Sequence, residues 1–151
     1  MRTAFLSSFY PYRGGIAQFN AALYHAFQKK HEVKAFNFSR QYPGLLFPGK
    51  TQFVEKGDTA NALPSERVLD SVNPFSWFSA GQNIKRWKPD LLLMKFWMPF
   101  LAPSLGTAAA IVKKRATVIS LLDNVIPHER RPGDILLTKF FLRQNHGFVV
   151  M

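Results

Sequence analysis

The sequence predicts an α/β chain built on a parallel sheet with helices on both faces, and three observations carry that prediction. Residues 3–38 read as strand, glycine-bearing turn, helix and second strand, which is a βαβ unit with a right-handed crossover. The continuous apolar run Leu91-Leu92-Leu93-Met94 has the composition of a strand covered on both sides, and Thr117–Leu122 reads as another buried strand. Helical patterns alternate with these runs to the end of the chain.

Element by element, Thr3–Ser7 is a short buried strand leading into Phe9-Tyr10-Pro11-Tyr12-Arg13-Gly14-Gly15, where Pro and Gly mark a turn. From Ile16, the residues Phe19, Ala22, Leu23, Ala26 and Phe27 recur at three- and four-residue spacing, and Lys29-Lys30-His31 suits the negative end of that helix. Val33–Phe38 is the second strand. Residues 39–73 are broken by Gln41-Tyr42-Pro43-Gly44, Phe47-Pro48-Gly49 and Lys56-Gly57-Asp58, which predicts a long ordered loop with at most a short strand at Gln52–Glu55. Asn73 can cap a helix with Pro74 in its first turn, running to about Trp87 before Pro89. Asp90–Lys95 is a strand, Phe96–Pro99 a turn, and Phe100 to about Arg115 a helix with an Ala108-Ala109-Ala110 stretch. Thr117–Leu122 is a strand with exit loop 123–131, Gly133 to about Arg143 a helix, and Gly147–Met151 a last strand. A doubly wound domain is not expected to end on a strand without a covering helix, so the chain is expected to be part of a longer protein.

The 151 residues suffice for one domain, taken as 1–151. With 47% hydrophobic and 19% charged residues the chain can build a core rather than remain a polyelectrolyte. The absence of cysteine excludes a disulfide scaffold, a thiolate metal site and a cysteine nucleophile. No signal peptide is expected and no apolar run is long enough to span a bilayer, which makes the cytoplasm the default compartment. The net charge of +11 and a pI near 10.3 favour anionic partners. Basic residues are spread along the chain, and no nucleic-acid motif appears, so no nucleic-acid partner is expected.

Four segments are candidates for function. Arg13-Gly14-Gly15-Ile16 precedes a helix, where backbone N–H groups attract anions and glycine allows close approach; a plain tight turn is the competing reading. The spacing is not that of a dinucleotide fingerprint. The loop 123–131 leaves the carboxyl end of a strand, where ligands of open α/β sheets bind, and carries Asp123, Asn124, His128, Glu129, Arg130 and Arg131. Asp123, Asn124 and His128 are read there as functional and the two arginines as surface. Arg40-Gln41-Tyr42-Pro43 leaves another carboxyl end, with a cleft lining and an ordinary anchored loop equally supported. The segment 74–88 mixes Phe75, Trp77, Phe78 and Trp87 with Lys85, Arg86 and Lys88, which fits an interfacial helix on anionic lipid but fits ordinary packing on a sheet better. His25, His31 and His146 are read as structural, and no metal-binding, P-loop or Asp-x-Asp motif is present.

These features in order resemble the amino-terminal half of family 4 glycosyltransferases, retaining enzymes of GT-B architecture. The carrying residues are Phe9–Gln18 with its Gly-Gly-Ile-Ala turn, His31-Glu32-Val33 entering strand two, Lys88-Pro89-Asp90 entering a buried strand, and Asp123–Glu129. The resemblance covers nearly the whole chain as one Rossmann-like domain. It implies a second, carboxyl-terminal domain across a cleft that holds most of the nucleotide-sugar, with the acceptor on this side; without that domain the chain is expected to be inactive. It also implies transfer of a hexosyl-type group from a nucleotide diphosphate sugar, as co-substrate, to a glycan or lipid-linked acceptor. No metal or other cofactor is implied. Many members carry His followed by Asp or Asn where this chain has Asp123 followed by Asn124, with the histidine at 128. The resemblance therefore implies Asp123 and His128 as candidate catalytic residues. It places the Gly14-Gly15 turn near the donor's diphosphate. With the positions of Arg13, Arg40 and Asn124 at strand carboxyl ends, Arg13, Gly14, Gly15, Arg40 and Asn124 are taken as donor or substrate contacts, and the +11 charge makes the inner face of the membrane a candidate location. The alternative is a non-catalytic module of the same fold that binds a phosphorylated ligand or a protein partner.

Overall fold

The computed structural model describes residues 1–47, 49–123 and 131–151. Six strands form one all-parallel sheet: β1 Arg2–Leu6, β2 Glu32–Arg40, β3 Ser65–Asp70, β4 Leu91–Phe96, β5 Thr117–Leu122 and β6 Gly147–Val150. Their spatial order is β3-β2-β1-β4-β5-β6. Four helices connect them: α1 Gly15–Gln28, α2 Pro74–Arg86, α3 Ala102–Val112 and α4 Asp134–Leu142. The expected α/β class, a Rossmann-like sheet with helices on both faces, is the observed one.

Strand register decides which side chains each helix covers. Residues registered across a parallel pair share a face, so Phe5, Ala35 and Leu93 lie together and meet Ala21 and Tyr24 of α1. Their neighbours Leu6, Phe36 and Met94 point to the opposite face, where α2, α3 and α4 contribute Ala80, Ile84, Leu105, Ala109 and Phe141. Phe96 and Phe141, both fully buried, stack with ring centroids 4.3 Å apart. Burial of each ring contributes about 1.5–3 kcal/mol. The alanine stretch of α3 lets it sit close to α2: a Cβ at Gly81 would meet Ile111 Cδ1 at 2.8 Å and the Ala108 backbone at 3.2 Å. The expected cap of α2 is present, with Asn73 Oδ1 accepting from the Phe75 N–H at 3.0 Å and Pro74 in the first turn.

Four details depart from the sequence reading. Residues 39–73 are not all loop, because they include β3 and a 3₁₀ turn at Gly44–Leu46. β3 is an edge strand whose Ser65-Glu66-Arg67-Val68-Leu69-Asp70 has no apolar run, and charges of this kind are how sheets protect an edge. Gln52–Glu55 supplies only a single antiparallel bridge, from Phe53 to Tyr12. β2 also runs further than Phe38, so Arg40 is the last residue of a strand rather than part of the following loop. On α2, Ile84 is buried and Trp77 and Trp87 are half-buried, but Phe75 and Phe78 stand 85% and 59% exposed.

Candidate functional site at the strand carboxyl ends

Strand order reverses between β1 and β4, so the loops leaving these two strands diverge and open a crevice beyond their carboxyl ends. Two buried asparagines fix the loop that leaves β1. Asn37 of β2 donates to the carbonyls of Phe9 at 3.1 Å and Tyr10 at 2.9 Å, while its oxygen accepts from the Phe9 and Phe38 N–H groups. Asn20 of α1 donates to Ser7 Oγ at 2.7 Å and to the Ser8 carbonyl at 2.9 Å. This loop therefore presents Gly14 on a braced backbone. Gly14 caps α1 with φ 107° and ψ 175°, a conformation that an L side chain rarely adopts, and no side chain caps the first turn. The partial positive charge of that turn remains directed outward.

A small cavity of about 170 Å³ lies against this turn, lined by Tyr10, Arg13, Gly14, Ala17, Gln18 and the loop 58–61 among others. Arg13 closes one side of it. Its guanidinium bonds Glu55 at 3.4 Å and Asp58 at 3.2 Å, and Gln18 Nε2 donates to the Thr59 carbonyl at 3.0 Å. Arg13 thus ties the long loop over the start of α1. His25 joins the same tie through Asn61 at 3.1 Å, and His146 accepts from the Val118 N–H at 3.0 Å.

The sequence reading missed a cation at the crevice. Lys95, near the end of β4, is 3% exposed; its Nζ lies 3.0 Å from Asp123 Oδ2 and 3.9 Å from the ring centroid of Phe19 on α1. Asp123 continues β5 by one residue, its N–H donating to the Phe96 carbonyl at 2.9 Å, and its side chain keeps 28% exposure. The pair joins β4, β5 and α1 next to the strand-order reversal, and it leaves one flank of a carboxylate open to solvent. A lone lysine in the apolar run Leu91–Phe96 was the signal that could have found it.

The remaining candidates spread along the rim. Arg40 ends β2 and grips Asp70 of β3 through two bonds of 2.9 and 2.5 Å. Asp70 also accepts from the Val72 N–H at 3.0 Å. Burial pushes the Asp70 carboxyl up, but the hydrogen bonds from Arg40 and the backbone outweigh this and hold it below the ordinary carboxylate value. β2 and β5 are three strand positions apart, about 14 Å, so Arg40 and Asp123 share an edge of the sheet but not a point. Between the ends of β2 and β4, Trp97 Nε1 donates to Tyr42 Oη at 2.7 Å, and burial raises the Tyr42 phenol. Gln41 Oε1 and Ser71 Oγ are buried beyond the ends of β2 and β3 with no partner among the described residues. Asn124 and His128 lie outside the described residues.

Among the described residues no three His, Asp or Glu side chains gather as a metal site, and no helix is long and apolar enough to cross a membrane. The sheet order and the crevice define a Rossmann-like α/β domain. No protein-family model matches the chain, and no curated protein matches it.

Proposed function

We propose that this chain is the amino-terminal, acceptor-side half of a retaining GT-B glycosyltransferase, which moves a hexosyl group from a nucleotide diphosphate sugar to a glycan or lipid-linked acceptor. One observation carries the reading: the uncapped start of α1 at Gly14-Gly15 and the Lys95–Asp123 pair flank the same strand-order reversal. Transfer of a sugar builds negative charge on the departing diphosphate, and outward N–H groups of a helix start stabilise such charge without reorganising. The bare Cα of Gly14 lets an anionic group reach that backbone. A carboxylate positioned by a buried ammonium, with one flank open, can accept a hydrogen bond from a sugar or acceptor hydroxyl. The donor is a co-substrate and no resident cofactor is invoked. The reaction runs in the cytoplasm, and a lipid-linked acceptor would bring the protein to the inner face of the membrane.

The test is nucleotide diphosphate release by the full-length protein across a panel of UDP- and GDP-sugars with glycan and lipid-linked acceptors. Asp123→Asn keeps an oxygen for Lys95 but loses the charge, and turnover is expected to fall by about tenfold or more. Circular dichroism checks that the variant is folded. Absence of turnover with every donor, or a folded Asp123→Asn with wild-type turnover, would overturn the reading.

A further inference from the structure

We propose that the opposite, amino-terminal end of the sheet carries a second site, one that binds a phosphate-bearing anion. A solvent-open cavity of about 420 Å³ lies between the end of α2 and the turn that follows α3. Lys85, Arg86 and Lys88 line it from the α2 end, and Arg115 faces them from the segment before β5. Among the described residues, none of the four takes part in an ion pair. One carboxylate shares the cavity, that of Asp90, and it already accepts from the Arg2 N–H at 2.7 Å. The cations are therefore in clear excess.

A helix carboxyl terminus attracts cations, and Lys85 and Arg86 lie in the last turn of α2. Arg115 lies just past the carboxyl end of a second helix, α3, so the cavity collects the cations of two helix ends, and the same attraction does not account for the backbone of Lys88. Lys88 has φ 56°, and it is the one non-glycine residue with positive φ among the described residues. It follows the α2 cap, where its N–H donates to the Lys85 carbonyl at 3.0 Å, in the helix-ending position that glycine fills with least strain. A lysine there keeps a cation over the cavity at a cost in backbone strain, and strain of this kind gathers at functional positions. Two guanidinium forks and two ammonium groups suit phosphate or diphosphate oxygens, through forked hydrogen bonds from the first and point charges from the second. Such a group could belong to a free phosphorylated compound or to a phospholipid headgroup. The cavity lies at the end of the strands remote from the crevice, so this inference stands independently of the glycosyltransferase reading.

Full-length protein is titrated with inorganic pyrophosphate, following the backbone amides of 85–88, 90 and 115 by NMR. It is also sedimented with vesicles of phosphatidylcholine alone and of phosphatidylcholine with phosphatidylglycerol. Three variants lose one charge each: Lys88→Gly, Arg115→Gln and, away from the cavity, Lys29→Gln. Lys88→Gly is expected to melt higher than the wild type yet bind about tenfold more weakly, as loss of one charge-assisted hydrogen bond implies. Arg115→Gln is expected to weaken binding similarly, and Lys29→Gln to leave it unchanged. Saturable pyrophosphate binding without sedimentation supports the site with a free phosphate compound. Sedimentation only with the anionic vesicles, reduced in Lys88→Gly and Arg115→Gln but not in Lys29→Gln, supports it with a lipid headgroup. Failure to bind either probe, or equal losses in all three variants, overturns it.

Discussion

Lys95 and Asp123 hold one another in unequal surroundings, and that inequality can be measured. Lys95 has almost no access to water, whereas Asp123 keeps an open flank. Asp123→Ala would leave a buried ammonium with the Phe19 ring and the weakly accepting Met151 sulfur as its described neighbours, a loss expected to cost about 3–5 kcal/mol. Lys95→Met removes the buried charge, fills much of the same space and leaves a carboxylate that water can reach; about 1–2 kcal/mol is expected. Urea unfolding of the two variants should show this order, and equal losses would contradict the burial difference. At the other end of the rim the same chemistry sets a pH dependence. The Asp70 carboxyl is held below its ordinary value, so the Arg40–Asp70 contact stabilises the fold above the unfolded carboxyl's pKa and is lost as pH falls through the folded one. Arg40→Gln should move the Asp70 titration upward in a carboxyl ¹³C NMR titration and should lower stability at neutral pH. It should leave stability unchanged at pH values where Asp70 is protonated in both states. An unmoved Asp70 titration would contradict the pairing.

At the scale of elements, the loop from β1 to α1 tests whether Gly14 is held by conformation. Gly14 has φ 107°, and a Cβ added there would find no atom within 4 Å, so a methyl group meets only backbone strain. Gly14→Ala should cost about 1–3 kcal/mol. Gly15 has equal space and no positive φ, and it is the first residue of α1, so Gly15→Ala should be neutral or stabilise by up to about 1 kcal/mol. Equal thermal shifts for both would show that the cap conformation is not what holds glycine at 14. The sequence made this turn readable because glycine pairs announce such backbone. It did not reveal the bracing beneath, since Asn37 and Asn20 act through contacts 27–28 and 12–13 residues away in the chain. β3 escaped for a related reason: an edge strand needs only Leu69 fully buried, and Arg67 spends its guanidinium on the carbonyls of Phe38 and Ser39 across the edge. Central strands β4 and β5 were legible because burial on both faces demands mostly apolar residues.

For the whole molecule, the sheet order places Gly14, Arg40 and Asp123 on one edge, as the βαβ reading requires, yet it disperses them and does not free their charges. Arg13 is bonded to Glu55 and Asp58, and Arg40 to Asp70, so neither guanidinium that the sequence suggested as a donor or substrate contact faces the crevice uncompensated. Such pairing could not be read from a sequence in which the partners lie 30 to 45 residues away. The +11 net charge therefore overstates the anion affinity of this rim. Among the described residues of the crevice, the positive charge not taken up in these pairs is the partial charge of one helix start, and Lys95 is already matched by Asp123. A helix start contributes about 0.3–1 kcal/mol at a surface, far below the roughly 8 kcal/mol of a micromolar complex. In the proposed enzyme the second domain supplies most of the grip on the donor. Calorimetry of this chain with UDP- and GDP-sugars should then give dissociation constants of about millimolar or weaker, with affinity falling further as salt screens the helix start. Saturable micromolar binding would mean that the rim holds the nucleotide unaided, and would overturn the division of labour between the two domains.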